Sequence, residues 1–226
     1  MINFKVRHFQ KTIIMMAVRW YLAYSLSYRD IEELMDERGI CIDHSTVNRW
    51  VIKYSPALEA KFTNHYKRRV SNSWRMDETY IKVKGQWCYL YRAVDKFGDT
   101  IDFMLSEKRD ELAAKRFFNK AISYNNQPEK ITIDKSGANN SALKSINITL
   151  PSHDKIEIRQ IKYLNNIVEQ DHRFIKRITK PLKGFKAFHS AHATLIGIEL
   201  HHMLRKNQHK NATNQSMFEQ FFELAA

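Results

Sequence analysis

Apolar positions follow a helical period in the first third of the chain and a period of two from Trp74 onward. Ile13, Ile14, Ala17, Val18 and Tyr21 recur three or four apart and predict a first helix. Ser27, with Asp30 three residues on, reads as a capping box opening a second helix, "YRDIEELMDER", which should stop at Gly39. Asp43 is a good N-cap for a third helix, "HSTVNRWVIKY", expected to end at Pro56. On this helix Val47, Trp50, Val51 and Tyr54 cover one arc, and Ser45, Asn48, Arg49 and Lys53 the other. Residues 61–73, "KFTNHYKRRVSNS", are basic and weakly periodic and read as a helix end and linker.

"WRMDETYIKV", "QWCYLYRAVD" and "TIDFMLS" are rich in aromatic and β-branched residues, with "KG" and "KFGD" between them. They predict three consecutive strands in an antiparallel meander. A helix "DELAAKRFFNKAISY", a short strand "KITID", a helix around 141–146 and a strand "IEIRQ" follow. Long helices are expected from Leu164 to before Pro181 and over 187–206. Such an order gives a mixed α/β sheet, antiparallel first and finished by crossover units. It is the element order of the ribonuclease H-like fold, although other α/β folds also begin with a meander. The expected organisation is an N-terminal all-α helix-turn-helix domain over 1–60, a linker over 61–73, an α/β domain over 74–206 and a tail over 207–226.

The chain has 226 residues and a formal net charge of +13. A surplus this large points to a polyanion, nucleic acid first and an acidic membrane surface second. Three helices with a Gly-bearing turn before the last favour DNA, because such a helix presents polar residues near its start to base edges. The candidates are Ser45, Thr46, Asn48 and Arg49, with Lys53 further along. The two cysteines, Cys41 and Cys88, form no C-x-x-C pair and fit reduced cytoplasmic thiols. "IIMMAV" is too short to span a bilayer and is soon followed by Arg19, so no membrane role is expected.

The chemistry centres on acids. In "RMDETYIKVKG" Asp77 and Glu78 are adjacent on one strand, so they point to opposite faces. Asp134 closes the fourth strand, at the end where open sheets present ligand-binding groups. On the long helix, Glu169, Arg173 and Lys176 share a face, at about 100° per residue. That pattern suits a carboxylate with phosphate-binding neighbours, and equally a solvated face of spaced charges. Asp171 falls inside the apolar arc of the same helix and needs a partner.

"WRMDETYIKVKGQWCYLYRAVDKFG", "ITIDKSGAN", "IKYLNNIVEQDHRFIKR" and the leading "HSTVNRWV" resemble the small bacterial insertion-sequence transposases of the DDE type, closest to the IS-six group. The resemblance runs from about Phe4 to Lys206, with 34 residues between Asp134 and Glu169 and a lysine seven after the glutamate. It implies a ribonuclease H-like catalytic domain with Asp77, Asp134 and Glu169 as catalytic, metal-holding triad and Lys176 as the accompanying basic residue. It further implies cutting and joining of double-stranded DNA, at terminal inverted repeats and in target DNA, by a replicative, cointegrate-forming route. Such chemistry uses Mg²⁺ or Mn²⁺, with two ions expected. Arg173 would steady DNA phosphates, and at least a homodimer on DNA is expected in the bacterial cytoplasm, associated with the nucleoid. A ribonuclease H-like nuclease without joining activity, or a non-catalytic DNA-binding regulator, are the competing readings.

Other residues have ordinary explanations. Glu78 should be a structural acid paired with a Lys or Arg across the sheet from Asp77. Asp95 suits a turn hydrogen bond. His189 and His192 share a helical face but lack the further ligand zinc normally takes. His172 could touch DNA or lie on the surface. Met217, Phe218, Phe221 and Phe222 form a stripe suited to docking on the core or to a dimer contact.

Overall fold

A computed structural model describes Ile2, residues 9–135 and residues 137–226. The start of the family resemblance, around Phe4, lies outside the described residues. By its contacts the chain divides into two units, Met1–Arg68 with Ile175–Ala226, and Arg69–Phe174.

The first unit is helical. Helix α1 spans Lys11–Ala23, α2 Tyr28–Asp36 and α3 His44–Lys61. The Ser27 hydroxyl accepts from Asp30 N at 3.1 Å and the Asp30 carboxylate accepts from Ser27 N at 2.7 Å, so the capping box forms. Gly39 takes φ of 71°, and Ile40 N bonds back to Met35 O at 3.0 Å to close α2. Asp43 caps α3 by accepting from Ser45 N at 2.8 Å. The arc Val47, Trp50, Val51 and Tyr54 is buried.

Pro56 does not end α3. It sits inside the helix, which runs on to Lys61 and then through a π-turn at Phe62–Tyr66. A mid-helix proline costs about 3 kcal/mol. Beyond it Leu58 and Phe62 are completely buried, and burial of two such side chains contributes roughly 1.5–3 kcal/mol each, enough to keep the segment helical.

Helix α6 spans Asn166–Thr179 and α7 Phe188–Arg205. Sequence reading grouped α7 with the sheet in a 74–206 domain, but α7 packs on α1 and α3, and the division falls within α6. Ala191, Leu195 and Ile198 supply its buried face. Helix α8, Met217–Glu223, docks on α7 with Phe221 fully buried, Met217 and Phe222 half-buried and Phe218 48% exposed, so the tail's stripe enters this core through Phe221.

The second unit carries a five-stranded sheet. Strands β1 (Ser73–Val83), β2 (Gln86–Asp95) and β3 (Thr100–Ser106) precede helix α4 (Glu111–Asn125). Strand β4 (Lys130–Thr132), helix α5 (Gly137–Ile148) and strand β5 (Glu157–Arg159) complete it, in the order β3-β2-β1-β4-β5. The meander is antiparallel, whereas β1–β4 and β4–β5 are parallel, the mixed α/β arrangement expected for a ribonuclease H-like fold. Trp74 and Met76 of β1, Tyr91 and Ala93 of β2, and Phe117, Phe118, Leu143 and Ile146 of α4 and α5 form its core on one sheet face. The Lys84–Gly85 turn joins β1 to β2 with both residues at positive φ, 50° and 80°, as a two-residue hairpin requires. Asp95 closes the next turn, accepting from Phe97 N at 2.8 Å and Asp99 N at 3.0 Å. Among the described residues no helix is long and apolar enough to cross a membrane.

Gly197 of α7 shows how tightly the helical unit packs. A Cβ there would meet Leu22 Cδ2 and Ser55 Oγ at 2.6 Å, and both residues are fully buried. Gly197→Val should destabilise the protein by about 1–3 kcal/mol through overpacking, read as a lower urea midpoint with an unchanged slope.

Candidate active site

Strand β1 is held by β2 along its whole length but by β4 only from Ser73 to Arg75. From Met76 onward the β4 side of β1 is open to other groups, and the Asn165 amide reaches Met76 O there at 3.3 Å. Asp77 and Glu78 stand at this opening. Asp134, two residues beyond the end of β4, arrives at the same place. One oxygen from each of Asp77, Glu78 and Asp134 lies within 4.8 Å of the other two.

Glu78 departs in part from expectation. It is paired with an arginine, as expected, through Arg109 at 3.1 Å, and it accepts from the Asn139 amide at 2.9 Å. Yet it stays with the acid group. Arg109 also reaches Asp134 at 3.3 Å, so one guanidinium bridges both carboxylates. Alternation assigns the two neighbours opposite faces, but β4 has already ended, and nothing between the strands keeps their carboxylates apart.

Helix α6 covers the Asp77 face. His172 is buried and its Nδ1 lies 3.8 Å from Asp77, which replaces the expectation of a surface or DNA-touching histidine. Glu169, one turn earlier on the same helical face, is exposed. It stands outside the three-acid group, but its charge acts on Asp77. Asp171 finds the partner it needs in Arg92, at 2.7 Å. Arg92 is fully buried and sits directly opposite Asp77 in the β1–β2 register. The ion pair therefore fastens α6 to the sheet beside Asp77.

Burial, then the charges of Glu78, Asp134 and Glu169, push the Asp77 carboxyl up to about 7 from an ordinary value of 3.8. Burial also raises Glu78, opposed by the Asn139 hydrogen bond and the Arg109 charge. Arg109 loses hydration on burial, but Glu78, Asp134 and Tyr80 more than compensate and hold it charged.

Lys176 and Arg173 are exposed on α6. On α3 Ser45, Arg49 and Lys53 are exposed, Thr46 and Asn48 half-buried, and Arg49 donates to the Thr46 hydroxyl at 2.7 Å. Sequence reading missed Arg92, Arg109 and Asn139. For Arg92 a signal existed. Counting back from the Lys84–Gly85 turn places this arginine, inside an apolar strand, opposite Asp77.

Clustered carboxylates, with the proton affinity of Asp77 and Glu78 raised by burial first and by neighbouring charge second, fit a divalent cation. Their oxygens are hard donors, and a cation would offset both the burial of the Asp77 charge and the repulsion from its neighbours.

A family of DDE domains, of the IS240 transposase group, matches residues 71–208. The transposase for insertion sequence-like element IS431mec of Staphylococcus aureus strain Mu50 is 39% identical over 209 residues, covering 92% of this chain and 91% of the relative. The transposase for insertion sequence element IS257 in transposon Tn4003, also from Staphylococcus aureus, has the same identity and coverage. The chain belongs to the DDE transposases of the IS-six group, enzymes that transfer polynucleotide strands on DNA. Similar solved structures include the catalytic core domain of HTLV-2 integrase, with TM-score 0.39 and 22% identity over 48% of this chain and 70% of that one. The catalytic core domain of BIV integrase has TM-score 0.44 and 15% identity over 68% of this chain and 95% of that one.

Folding raises Asp77 above its unfolded value, so the folded state holds a proton more firmly between pH 4 and 7. The buried charge costs stability above pH 7, and the cost fades as pH falls towards 4. Asp77→Asn should stabilise the metal-free protein at pH 8 by roughly 1–4 kcal/mol, with the gain vanishing on acidification, as urea midpoints across pH would record.

Breaking the Arg92–Asp171 pair leaves a buried charge. Arg92→Leu should cost about 3–5 kcal/mol, and the double variant Arg92→Leu, Asp171→Leu should recover most of it in a double-mutant cycle.

Proposed function

We propose that this transposase binds the terminal inverted repeats of its element and cuts and joins DNA there by a replicative, cointegrate-forming route. Asp77, Asp134 and Glu169 are the catalytic carboxylates. The observation that carries this reading is the gathering of Asp77 and Asp134 at the open edge of β1, with Asp77 pushed up to about 7. What supports adding Glu169 is that His172, on the same face of α6, lies against Asp77. The replicative route follows the family resemblance.

Asp77, Asp134 and Glu169 would hold Mg²⁺ or Mn²⁺, two ions in this reading. Bound there, the ions would supply positive charge to the phosphodiester and make water a better nucleophile at neutral pH. The chain's own groups position the reactants. Asp77 stands on a strand hydrogen-bonded on both sides at its base, and the Arg92–Asp171 pair holds α6 in place. Arg109 offsets the charge of Glu78 and Asp134. Arg173 and Lys176 meet the phosphates flanking the cut. Water attacks phosphorus, a P–O bond forms, and the bond to the 3′ oxygen breaks to leave a 3′-hydroxyl. That hydroxyl then attacks a phosphorus of target DNA and displaces its 3′ oxygen in turn. No enzyme nucleophile is required.

Recognition is assigned to α3. Ser45, Thr46, Asn48 and Arg49 face base edges in the major groove, with Lys53 on phosphate. Two ends react together, so the working form contains at least two copies; a monomer in the mass of the assembled DNA complex would overturn that part.

The test is a labelled duplex carrying the element end, incubated with target plasmid and Mg²⁺. Asp77→Asn, Asp134→Asn and Glu169→Gln should each lower joined product by roughly 10³-fold or more while duplex binding persists. Nicked ends without joined product would favour a simple nuclease. Full activity of Glu169→Gln would remove that residue from the triad.

A further inference from the structure

We propose that the β1–β2 hairpin is a stacking platform for unpaired nucleotides of the DNA beside the cutting site. The inference rests on the transposase reading and adds the form of DNA that the site receives.

Tyr80 and Trp87 are 52% and 59% exposed, although rings of this size usually hide most of their area. The register sets Tyr80 opposite Tyr89 and Lys82 opposite Trp87, all on one face of the ribbon. The Tyr80 ring lies 5.5 Å from Tyr89 and 6.1 Å, edge-on, from Trp87. The Lys82 ammonium sits 6.0 Å over the Trp87 ring. The reverse face is buried through Ile81, Val83, Cys88 and Leu90, so the rings stand on a packed ribbon.

The platform is continuous with the acids. Tyr80 shares its face with Glu78, two residues earlier on β1, and Arg109 bridges Glu78 to Asp134. Asp77, three residues before Tyr80, points to the other face of β1, so the platform meets the acid group through Glu78 at the open edge of the strand.

Chemistry selects the occupant. Exposed aromatic rings interleaved with lysine match bases and phosphates, the composition of single-strand platforms. Contact with a second copy of the chain would favour an apolar patch depleted in lysine. Bases in a duplex are already stacked on one another, so the bases offered to these rings are unpaired ones.

The test uses the full chain and two fluorescent probes, the fully paired element end and the same end with a short unpaired tail. Binding is read by anisotropy. Wild type should favour the tailed probe. Tyr80→Ala with Trp87→Ala should weaken the tailed probe about tenfold per stacked base lost and leave the paired probe unchanged. Trp87→Phe should keep most of the preference and Trp87→Leu should lose it, which separates stacking from apolar contact. Equal tailed-probe affinity of wild type and the double alanine variant, or of Trp87→Leu and Trp87→Phe, would overturn the proposal. A smaller assembled mass of the alanine variant without DNA would do the same, by marking the surface as a contact between copies. Because binding is the readout, cutting that survives Asp77→Asn would undo the catalytic reading without touching this result. A platform that fails leaves Asp77-dependent cutting intact.

Discussion

Three carboxylates within 4.8 Å repel one another, and the α/β unit is arranged so that they stay together. β1 is held by β2 and, at its first residues, by β4, which then stops and leaves an opening where Asp77, Glu78 and Asp134 meet. Arg109 and Asn139 answer the charge on the Glu78 side. On the other face His172 and the Arg92–Asp171 pair bind α6 to the sheet. Burial first, and then the repulsion that remains, makes Asp77 hold its proton far more tightly than an isolated aspartate. In the proposed reading, cations and a phosphodiester would relieve this buried and repelled charge on binding.

The same opening connects the parts of the site. A β4 long enough to pair with Asp77 and Glu78 would occupy the edge where Asp134 now arrives. The mixed topology makes the short strand possible, since parallel strands enter by crossovers and need not match the hairpin in length. Beyond the acids the hairpin runs on to its Lys84–Gly85 turn, so the acid group and the exposed aromatic surface share one ribbon. Placing polar and charged groups at this edge forgoes packing there; the hydrophobic core of the sheet lies against α4 and α5 instead.

Local patterns were legible wherever the determining interactions are local. The Ser27 box, the Asp43 cap, the alternation in the meander and the two-residue turn all act within a few residues, and each formed where the residues indicated. Pro56 was misread because its penalty is local while the burial of Leu58 and Phe62 that offsets it is tertiary. Helix α7 was grouped with the sheet by chain order, yet its small face at Ala191 and Gly197 fits against α1 and α3. Glu78 was assigned away from Asp77 by strand alternation, which says nothing about where a neighbouring strand ends. Asp171 was recognised as needing a donor, and Arg92 could have been found from the turn register.

The amino-acid sequence by itself determined the helical and strand segments, the basic balance, the candidate acids and the family. These follow from side-chain period, capping and residue type, which are properties of short stretches. Only the tertiary structure decided that β4 stops short of Asp77, that Arg109 bridges two of the acids, that Arg92 holds α6, and that α7 joins the helical unit. Those outcomes depend on contacts between residues far apart in the chain, where burial and charge pairing outweigh local preference.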